Sequence, residues 1–408
     1  MLRWIFFVVL YLIMGFYALQ GIRTATRQPW VHYCFIFVSL LVIGNFIYQF
    51  SIADSGRVLS RPKSYAFGFL LAMLSFQLIT ILFLFGEDIF RLLVGTYNKW
   101  FNTDKEFTIP ARRRFLSVLG LGLAALPFGA LLYGMYKGKY NYKVLTYELE
   151  FDDLPEAFHN YQITQISDIH SGSFDDYKKI EYGVDLINQQ NSDVILFTGD
   201  MVNNMASEIK PWKALFGSLQ AKDGKFSVLG NHDYGDYVEW ETSEAKAKNL
   251  EELKAMQKEM GFRLLLNENS YLEKNGARIA LIGVENWGAG GFKKAGDLKR
   301  AVAGIHKDDF KIVMSHDPSH WEQEIIHDDH HYHLTLSGHT HGMQFGIEIP
   351  GWFKWSPVKW RYTYWAGIYE ELGQYINVNR GFGFLGYPGR VGIWPEVTVI
   401  KLKKKGLT

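Results

Sequence analysis

Four long apolar stretches follow one another in the first third of the chain: Leu2 to Leu19, Trp30 to Phe50, Ser64 to Phe85 and Phe115 to Tyr136. None contains Asp, Glu, Lys or Arg except Arg3 at an edge. A helix needs about 20 apolar residues to cross a bilayer, and each stretch meets that length. The alternatives are buried core helices or, for the first stretch, a cleaved signal peptide. Four uncharged runs in succession argue against a soluble chain, and no small-x-small cleavage site follows at Gln20 to Arg27. The expectation is a transmembrane region of about four helices over residues 1–140, followed by a second domain over 141–408.

An even number of spans puts both termini on one side. Basic residues on that side are Arg3, Arg57, Arg61, Lys63, Lys137, Lys139 and Lys143. The other side holds Arg23, Arg27, Arg91, Lys99, Lys105, Arg112, Arg113 and Arg114. Seven against eight decides little by the positive-inside rule. Arg112 to Arg114 stand immediately before Phe115-Leu116 and resemble a twin-arginine export signal ahead of the last span. Such a cluster stays cytoplasmic, so the C-terminal domain is expected outside the cytoplasm. An ordinary basic anchor is the alternative, with that domain on the cytoplasmic face.

From Lys143 the pattern changes. VLTYELEF alternates like a half-buried strand. Short apolar runs then alternate with helical stretches. YQITQIS, DVILFT, KFSVLG, RLLL, RIALIGV, KIVMS, LTLSG, YINVN and VTVIKL read as strands. Tyr177 to Gln189, Ser207 to Leu219 and Ser243 to Met260 read as helices. This predicts a layered α/β domain with much of its sheet buried. Ligands of such sheets gather beyond the carboxyl ends of the strands.

Five segments occupy those ends: SDIH, TGD, GNHD, SHDP and GHTH. They carry Asp168, His170, Asp200, Asn231, His232, His316, His339 and His341. The lone cysteine, Cys34, excludes an intramolecular disulfide and a thiolate zinc cluster. Any metal is therefore held by nitrogen and oxygen. A dimetal site needs one carboxylate bridging ions about 3.5–4 Å apart. Asp200 is the best candidate, because Gly199 lets the backbone turn tightly beneath it. Asp168 and His170, one residue apart, can face the same side of a strand end. Asn231 offers an amide oxygen; His316, His339 and His341 offer imidazoles. Seven ligands around two ions leave positions open for water and substrate. The mixed set suits Mn, Fe or Zn better than calcium.

In this order the blocks resemble the calcineurin-like metallophosphoesterase superfamily, whose pattern runs D-x-H, G-D, G-N-H-[DE], a lone H, then G-H-x-H. The match spans roughly Tyr161 to Leu402. GHTHG with Gln344, and the late NRGFG and WPEVTVIKL, resemble a membrane-linked bacterial branch. The resemblance implies that Asp168, His170, Asp200 and His341 bind one metal. Asp200, Asn231, His316 and His339 would bind the second. His232 would sit beside the phosphate as a charge stabiliser or general acid. A metal-bridging hydroxide would attack phosphorus in line. Ser171 and Met343 depart from residues common in the family; neither is a ligand.

Other residues have plainer readings. His327, His330, His331 and His333 crowd one connection, which suits a solvated turn better than a metal tract. Asp233 is expected to orient a neighbour. Arg390 is a candidate clamp for a phosphate oxygen, or a surface arginine. Trp352, Phe353, Trp355, Trp360, Tyr362, Tyr364, Trp365 and Tyr369 mix with Lys354, Lys359 and Arg361. Such a segment suits a membrane–water interface or a cap over an apolar substrate. A loop packed on its own domain is the alternative.

The resulting expectation is a multi-pass protein of a bacterial cell membrane. It would be a dimetal phosphoesterase acting on a phosphate mono- or diester, with a lipid-linked substrate plausible. The competing class is a membrane sensor or scaffold with a catalytically silent phosphoesterase fold. The net charge of +1 gives no reason to expect nucleic acid as a partner.

Overall fold

The structure is a computed structural model that describes residues 2–52, 58–101, 110–349 and 351–407. Arg57 and Lys105, used in the charge tally, lie outside the described residues. The chain divides into two compact units, the first ending at Tyr136 and the second running from Lys137.

The first unit holds α1 (Leu2–Ala25), α2 (Pro29–Ser51), α3 (Arg61–Phe101) and α4 (Pro110–Tyr136). All four are long and apolar enough to cross a membrane. Pro29 opens α2 at its first helical position, where a missing N–H costs nothing. Some of the polar groups inside the unit pair with each other, as apolar surroundings favour. Tyr11 donates to the Ser39 carbonyl at 3.0 Å, and Gln77 Nε2 donates to Ser39 Oγ at 3.3 Å. The basic run before α4 is partly neutralised. Arg112 lies 3.2 Å from Glu87 and Arg113 3.9 Å from Asp88, both on α3.

The strands of the second unit are, in chain order, β1 (Lys143–Phe151), β2 (Tyr161–Ile166), β3 (Val194–Phe197), β4 (Lys225–Ser227) and β5 (Phe262–Leu264). Then come β6 (Glu268–Lys274), β7 (Ala277–Val284), β8 (Lys311–Ser315) and β9 (Leu334–Ser337). A hairpin of β10 (Ile347–Ile349) and β11 (Phe353–Trp355) follows. The chain ends with β12 (Gly367–Glu371), β13 (Gln374–Val378) and β14 (Glu396–Lys404).

These strands form two six-stranded sheets, ordered β1-β14-β2-β3-β4-β5 and β12-β13-β9-β8-β7-β6. Their inner faces meet through Ile163, Leu196 and Phe226 on one side and Leu281, Ile312 and Leu336 on the other. β2-β3-β4 run parallel in the first sheet and β7-β8-β9 in the second. Their carboxyl ends therefore meet along one edge of the sandwich. The outer face of the first sheet is covered by α5 (Tyr177–Asn188) and α7 (Ser243–Glu259), which supply Ile180, Val184 and Leu253. The stretch expected as one helix over 207–219 begins as a 3-10 turn (Ala206–Trp212). Only α6 (Lys213–Gly217) is α-helical, because Pro211 supplies no N–H and disfavours an α conformation at Lys210.

Candidate metal centre

Each block leaves its strand at the carboxyl end, and three of the five, SDIH, TGD and GHTH, bend at once into an unusual backbone. Asp168, His170, Asp200, His339 and His341 all have positive φ, between 49° and 70°. This region costs a residue with a Cβ roughly 1–2 kcal/mol, so packing must hold these five in place. Glycines leave the room. A Cβ on Gly199 would meet Gly230 N at 2.4 Å, and one on Gly338 would meet Asp168 Oδ2 at 2.3 Å.

The bends bring seven side chains together. His341 Nε2 lies 3.2 Å from Asp168 Oδ1 and 3.0 Å from His170 Nε2. His170 Nε2 is also 3.7 Å from Asp200 Oδ2. On the other side His316 Nε2 lies 3.1 Å from that same Asp200 oxygen. His339 Nδ1 lies 2.8 Å from Asn231 Oδ1. Asp200 Oδ1 is taken by the His232 N–H at 2.8 Å, which leaves Oδ2 facing both groups. Asn231 Nδ2 donates to the Tyr237 hydroxyl at 2.8 Å, fixing which way the amide points.

The electrostatics call for cations. Burial works against the Asp200 anion, yet the His316 and His232 imidazoles hold its pKa well below the usual carboxylate range. Burial likewise opposes the Asp168 anion, which His341 holds down. Burial alone would lower His316, but the Asp200 carboxylate raises it to about 10. Burial pushes His339 down to about 4, and pushes His170 and His232 below their ordinary value. Two buried carboxylates surrounded by buried imidazoles are stable when ions sit among them.

The donors fit such ions. His316 Nδ1 donates to the Thr198 carbonyl at 2.7 Å. Its fully buried Nε2 has no well-aligned hydrogen-bond partner and looks at a carboxylate oxygen. In the neutral ring that nitrogen carries a lone pair, and two lone pairs face to face require a positive charge between them. Among the described residues, Asp168, His170 and His341 form one group with ligand atoms within 4.8 Å, and Asp200, His316 and His339 another. His170, Asp200 and His232 make a third. His232 Nδ1 lies 2.8 Å from the Asn203 carbonyl, so its other nitrogen is the one available to the cleft. Asp233 accepts N–H bonds from Asp200 at 2.9 Å, Met201 at 2.8 Å and Gly230 at 2.9 Å, tying two blocks together.

Arg390 is a correction. It is fully buried, with donors directed at the backbone carbonyls of Gly383 at 2.6 Å, Arg380 at 2.7 Å and Gly381 at 3.1 Å, and with Nη2 also 3.3 Å from His341 Nδ1. Burial lowers its pKa to about 10. No face of it is open to a phosphate. Its role is to brace residues 380–383, whose Phe382 and Gly383 N–H groups bond the Ser167 and Asp168 carbonyls at 2.8 Å.

A cleft of about 370 Å³ opens over Asp200, Asn231, His232, His339 and His341. Its walls include Phe292, Met343, Trp360, Arg361 and Tyr362, of which only Met343, Trp360, Arg361 and Tyr362 drew notice in the sequence. Phe292 and Tyr237 gave no signal, since a lone aromatic in a loop looks like any other. The aromatic segment divides. Tyr362 and Trp365 pack with Val358 and Ile393, whereas Trp352 and Trp360 are 82% and 76% exposed. Two of the crowded histidines pair with carboxylates, His330 with Asp328 at 2.8 Å and His333 with Asp153 at 2.5 Å. Neither appears in a metal grouping among the described residues.

Two mixed sheets with parallel central strands and this His/Asp constellation at their shared edge define a metallophosphoesterase fold. Residues 161–343 match the calcineurin-like phosphoesterase family, and residues 2–139 match the transmembrane domain described as probable calcineurin-like phosphoesterase. The chain thus carries a calcineurin-like phosphoesterase domain behind a transmembrane phosphoesterase domain, and is a membrane-associated, metal-dependent phosphoester hydrolase. It is 28% identical over 302 residues to the uncharacterized metallophosphoesterase YkuE of Bacillus subtilis, covering 72% of this chain and 98% of that one. It is 25% identical over 404 residues to a transmembrane protein with metallophosphoesterase domain of Danio rerio, covering 95% of this chain and 84% of that one. Relatives thus come from bacteria and from vertebrates.

Proposed function

We propose that the chain is a membrane-anchored dimetal phosphoesterase that hydrolyses a phosphate mono- or diester. Residues 1–140 serve as the anchor and 141–408 as the catalytic domain. Asp168, His170, Asp200 and His341 hold one divalent ion, and Asp200, Asn231, His316 and His339 the other. Mn, Fe or Zn suits this mixture of carboxylate, amide and imidazole. The observation that carries the reading is the position of Asp200 Oδ2, between His170 Nε2 at 3.7 Å and His316 Nε2 at 3.1 Å.

Bound ions would activate water and offset the negative charge on the phosphate oxygens. The protein supplies the rest. Asp200 holds both sites in register. Asn231 is oriented by Tyr237. His232, held through Nδ1 by Asn203, faces the cleft beside the phosphate, where its protonated form would stabilise charge or protonate the leaving oxygen. The intact donor set argues against a silent sensor or scaffold.

The apolar walls of the cleft suit an ester carrying a lipid chain, and tethering keeps the enzyme near such substrates. We place the catalytic domain outside the cytoplasm of a bacterial cell, following the Arg112–Arg114 run; reporter fusions after Thr408 test this. A fusion active only in the cytoplasm reverses it. The functional reading itself is tested with the purified full chain, by hydrolysis of a monoester and a diester reporter alongside elemental analysis. Two ions per chain with metal-dependent hydrolysis supports it. Absence of either refutes it.

A further inference from the structure

With Arg390 sealed behind the loop it braces, the cleft needs another group to grip the oxygens of a phosphate. Among the described residues lining the cleft, Arg361 is the one side chain with a permanent positive charge. Its side chain is exposed, and its guanidinium carbon lies 5.2 Å from the Phe292 ring centre and 5.4 Å from that of Tyr362. Two aromatic rings thus steady a long cation that would otherwise sample many rotamers. A planar guanidinium offers paired N–H donors that match phosphate geometry.

Tyr362 stands beside it and also lines the cleft. Its hydroxyl is 2.9 Å from His339 Nε2. His339 turns its other nitrogen, Nδ1, toward Asn231 Oδ1 at 2.8 Å, on the side where the donors gather. When Nδ1 presents its lone pair there, Nε2 carries the ring proton and donates it to the phenol oxygen. A hydroxyl that accepts in this way keeps its own proton to give. Tyr362 then holds a neutral donor at the cleft wall, in the same turn as the Arg361 cation.

We propose that Arg361 and Tyr362 form the oxygen clamp for the substrate's phosphate, and that Arg361 sets a preference for phosphomonoesters. The selectivity follows from charge. A monoester carries roughly −1.5 to −2 at neutral pH, a diester only −1. An added cation outside the metal centre favours the more highly charged group. The walls that flank the clamp, Phe292 and Trp360, then receive the organic part of the ester. This inference rests on the phosphoesterase reading and deepens it.

The test uses the full chain in detergent, with Arg361→Ala, Arg361→Lys and Tyr362→Phe compared with the parent. Three quantities are measured: bound metal, affinity of the loaded protein for inorganic phosphate, and kcat/KM for a monoester and a diester. Arg361→Ala should keep two ions, weaken phosphate about tenfold, and lower monoester efficiency about tenfold more than diester efficiency. Arg361→Lys should recover most of the monoester-to-diester ratio. Tyr362→Phe should keep two ions and weaken phosphate about tenfold. The clamp is overturned if Tyr362→Phe sheds an ion while phosphate affinity of the loaded fraction is unchanged, since Tyr362 then only props His339. It is equally overturned if Arg361→Ala leaves the ester ratio where it was. A parent chain that loads no metal and hydrolyses neither ester fails the underlying reading, whereas an active parent with indistinguishable variants fails the clamp alone.

Discussion

His316 presents Nε2 to Asp200 Oδ2 at 3.1 Å while the Thr198 carbonyl holds its Nδ1 at 2.7 Å. The Thr198 bond fixes the imidazole in one tautomer when it is neutral, with its Nε2 lone pair toward a carboxylate. Without an ion that arrangement survives only by taking a proton, which is why His316 is raised to about 10. The same nitrogen is thus a proton site in the metal-free protein and, on the proposed reading, would be a metal site in the loaded one.

Metal uptake should therefore release a proton. Since the folded pKa of His316 lies above its unfolded value, the His316–Asp200 pair stabilises the metal-free fold at neutral pH and loses that contribution as pH rises through about 10. Between pH 6 and 8 the ion must displace this proton, so affinity should rise about tenfold per pH unit. Calorimetry in buffers of different ionisation enthalpy measures the proton count. His316→Ala should abolish one released proton and weaken the second ion. A proton count that His316→Ala leaves unchanged would remove His316 from the ligand set.

His339 gives the opposite sign. Its folded pKa is lowered to about 4 by burial, so the unfolded chain binds the proton first. The metal-free protein should lose stability as pH falls from about 6.5 toward 4, read as a falling Tm in a pH series. A His339→Gln variant should flatten that slope.

His232 should separate from the ligands. Its nitrogen lies within 4.8 Å of one ligand atom each on His170 and Asp200, near enough to be mistaken for one. His232→Ala should lower turnover by roughly 10²–10⁴ and leave two ions bound. Loss of an ion on elemental analysis would make it a ligand and the general-acid role wrong.

Asp233 should matter for the fold more than for the chemistry. Burial and the Asp200 carboxylate push its pKa up to about 7, while backbone N–H donors from both blocks support its anion. Asp233→Ala strands the buried N–H donors of Asp200, Met201 and Gly230 and the longer one of Val202, each costing about 1–3 kcal/mol. The variant should unfold at markedly lower temperature even with metal present. An unchanged Tm would mean that the Asp200 and Asn231 turns hold themselves.

Much of this centre was legible because its chemistry is local. Asp168, Asp200, Asn231, His316 and His339 each follow an apolar strand by one to four residues, so type and position coincide in the sequence. What was illegible depends on chain far away. Arg390 looked like a surface cation in a Gly/Pro-rich loop, but only the fold shows the carbonyls of 380–383 closing around it. Arg361 lay inside an aromatic run whose exposed and buried members alternate without a period. The strand β6, ENSYLEK, was missed because it is a polar edge strand paired on one side only. The hairpin β10–β11 has three residues per strand, too short for alternation to register.

The exposed tryptophans predict a substrate effect. Trp352 and Trp360 present large apolar surfaces, and Trp360 lines the cleft. Burying such surface in an acyl phase is favourable by roughly 25 cal/mol per Å². Replacing both with Ser should lower kcat/KM for a lipid phosphate and spare a small soluble ester, measured in the same detergent. Equal losses on both substrates would make the residues merely structural.

The central claim is that one carboxylate joins two ions, and Asp200→Asn tests it most directly. Metal content and turnover are measured on the same preparation beside the parent. An amide cannot bridge as an anion, so the variant should hold fewer than two ions and lose at least about a hundredfold in rate. Two bound ions with parental turnover would contradict the account.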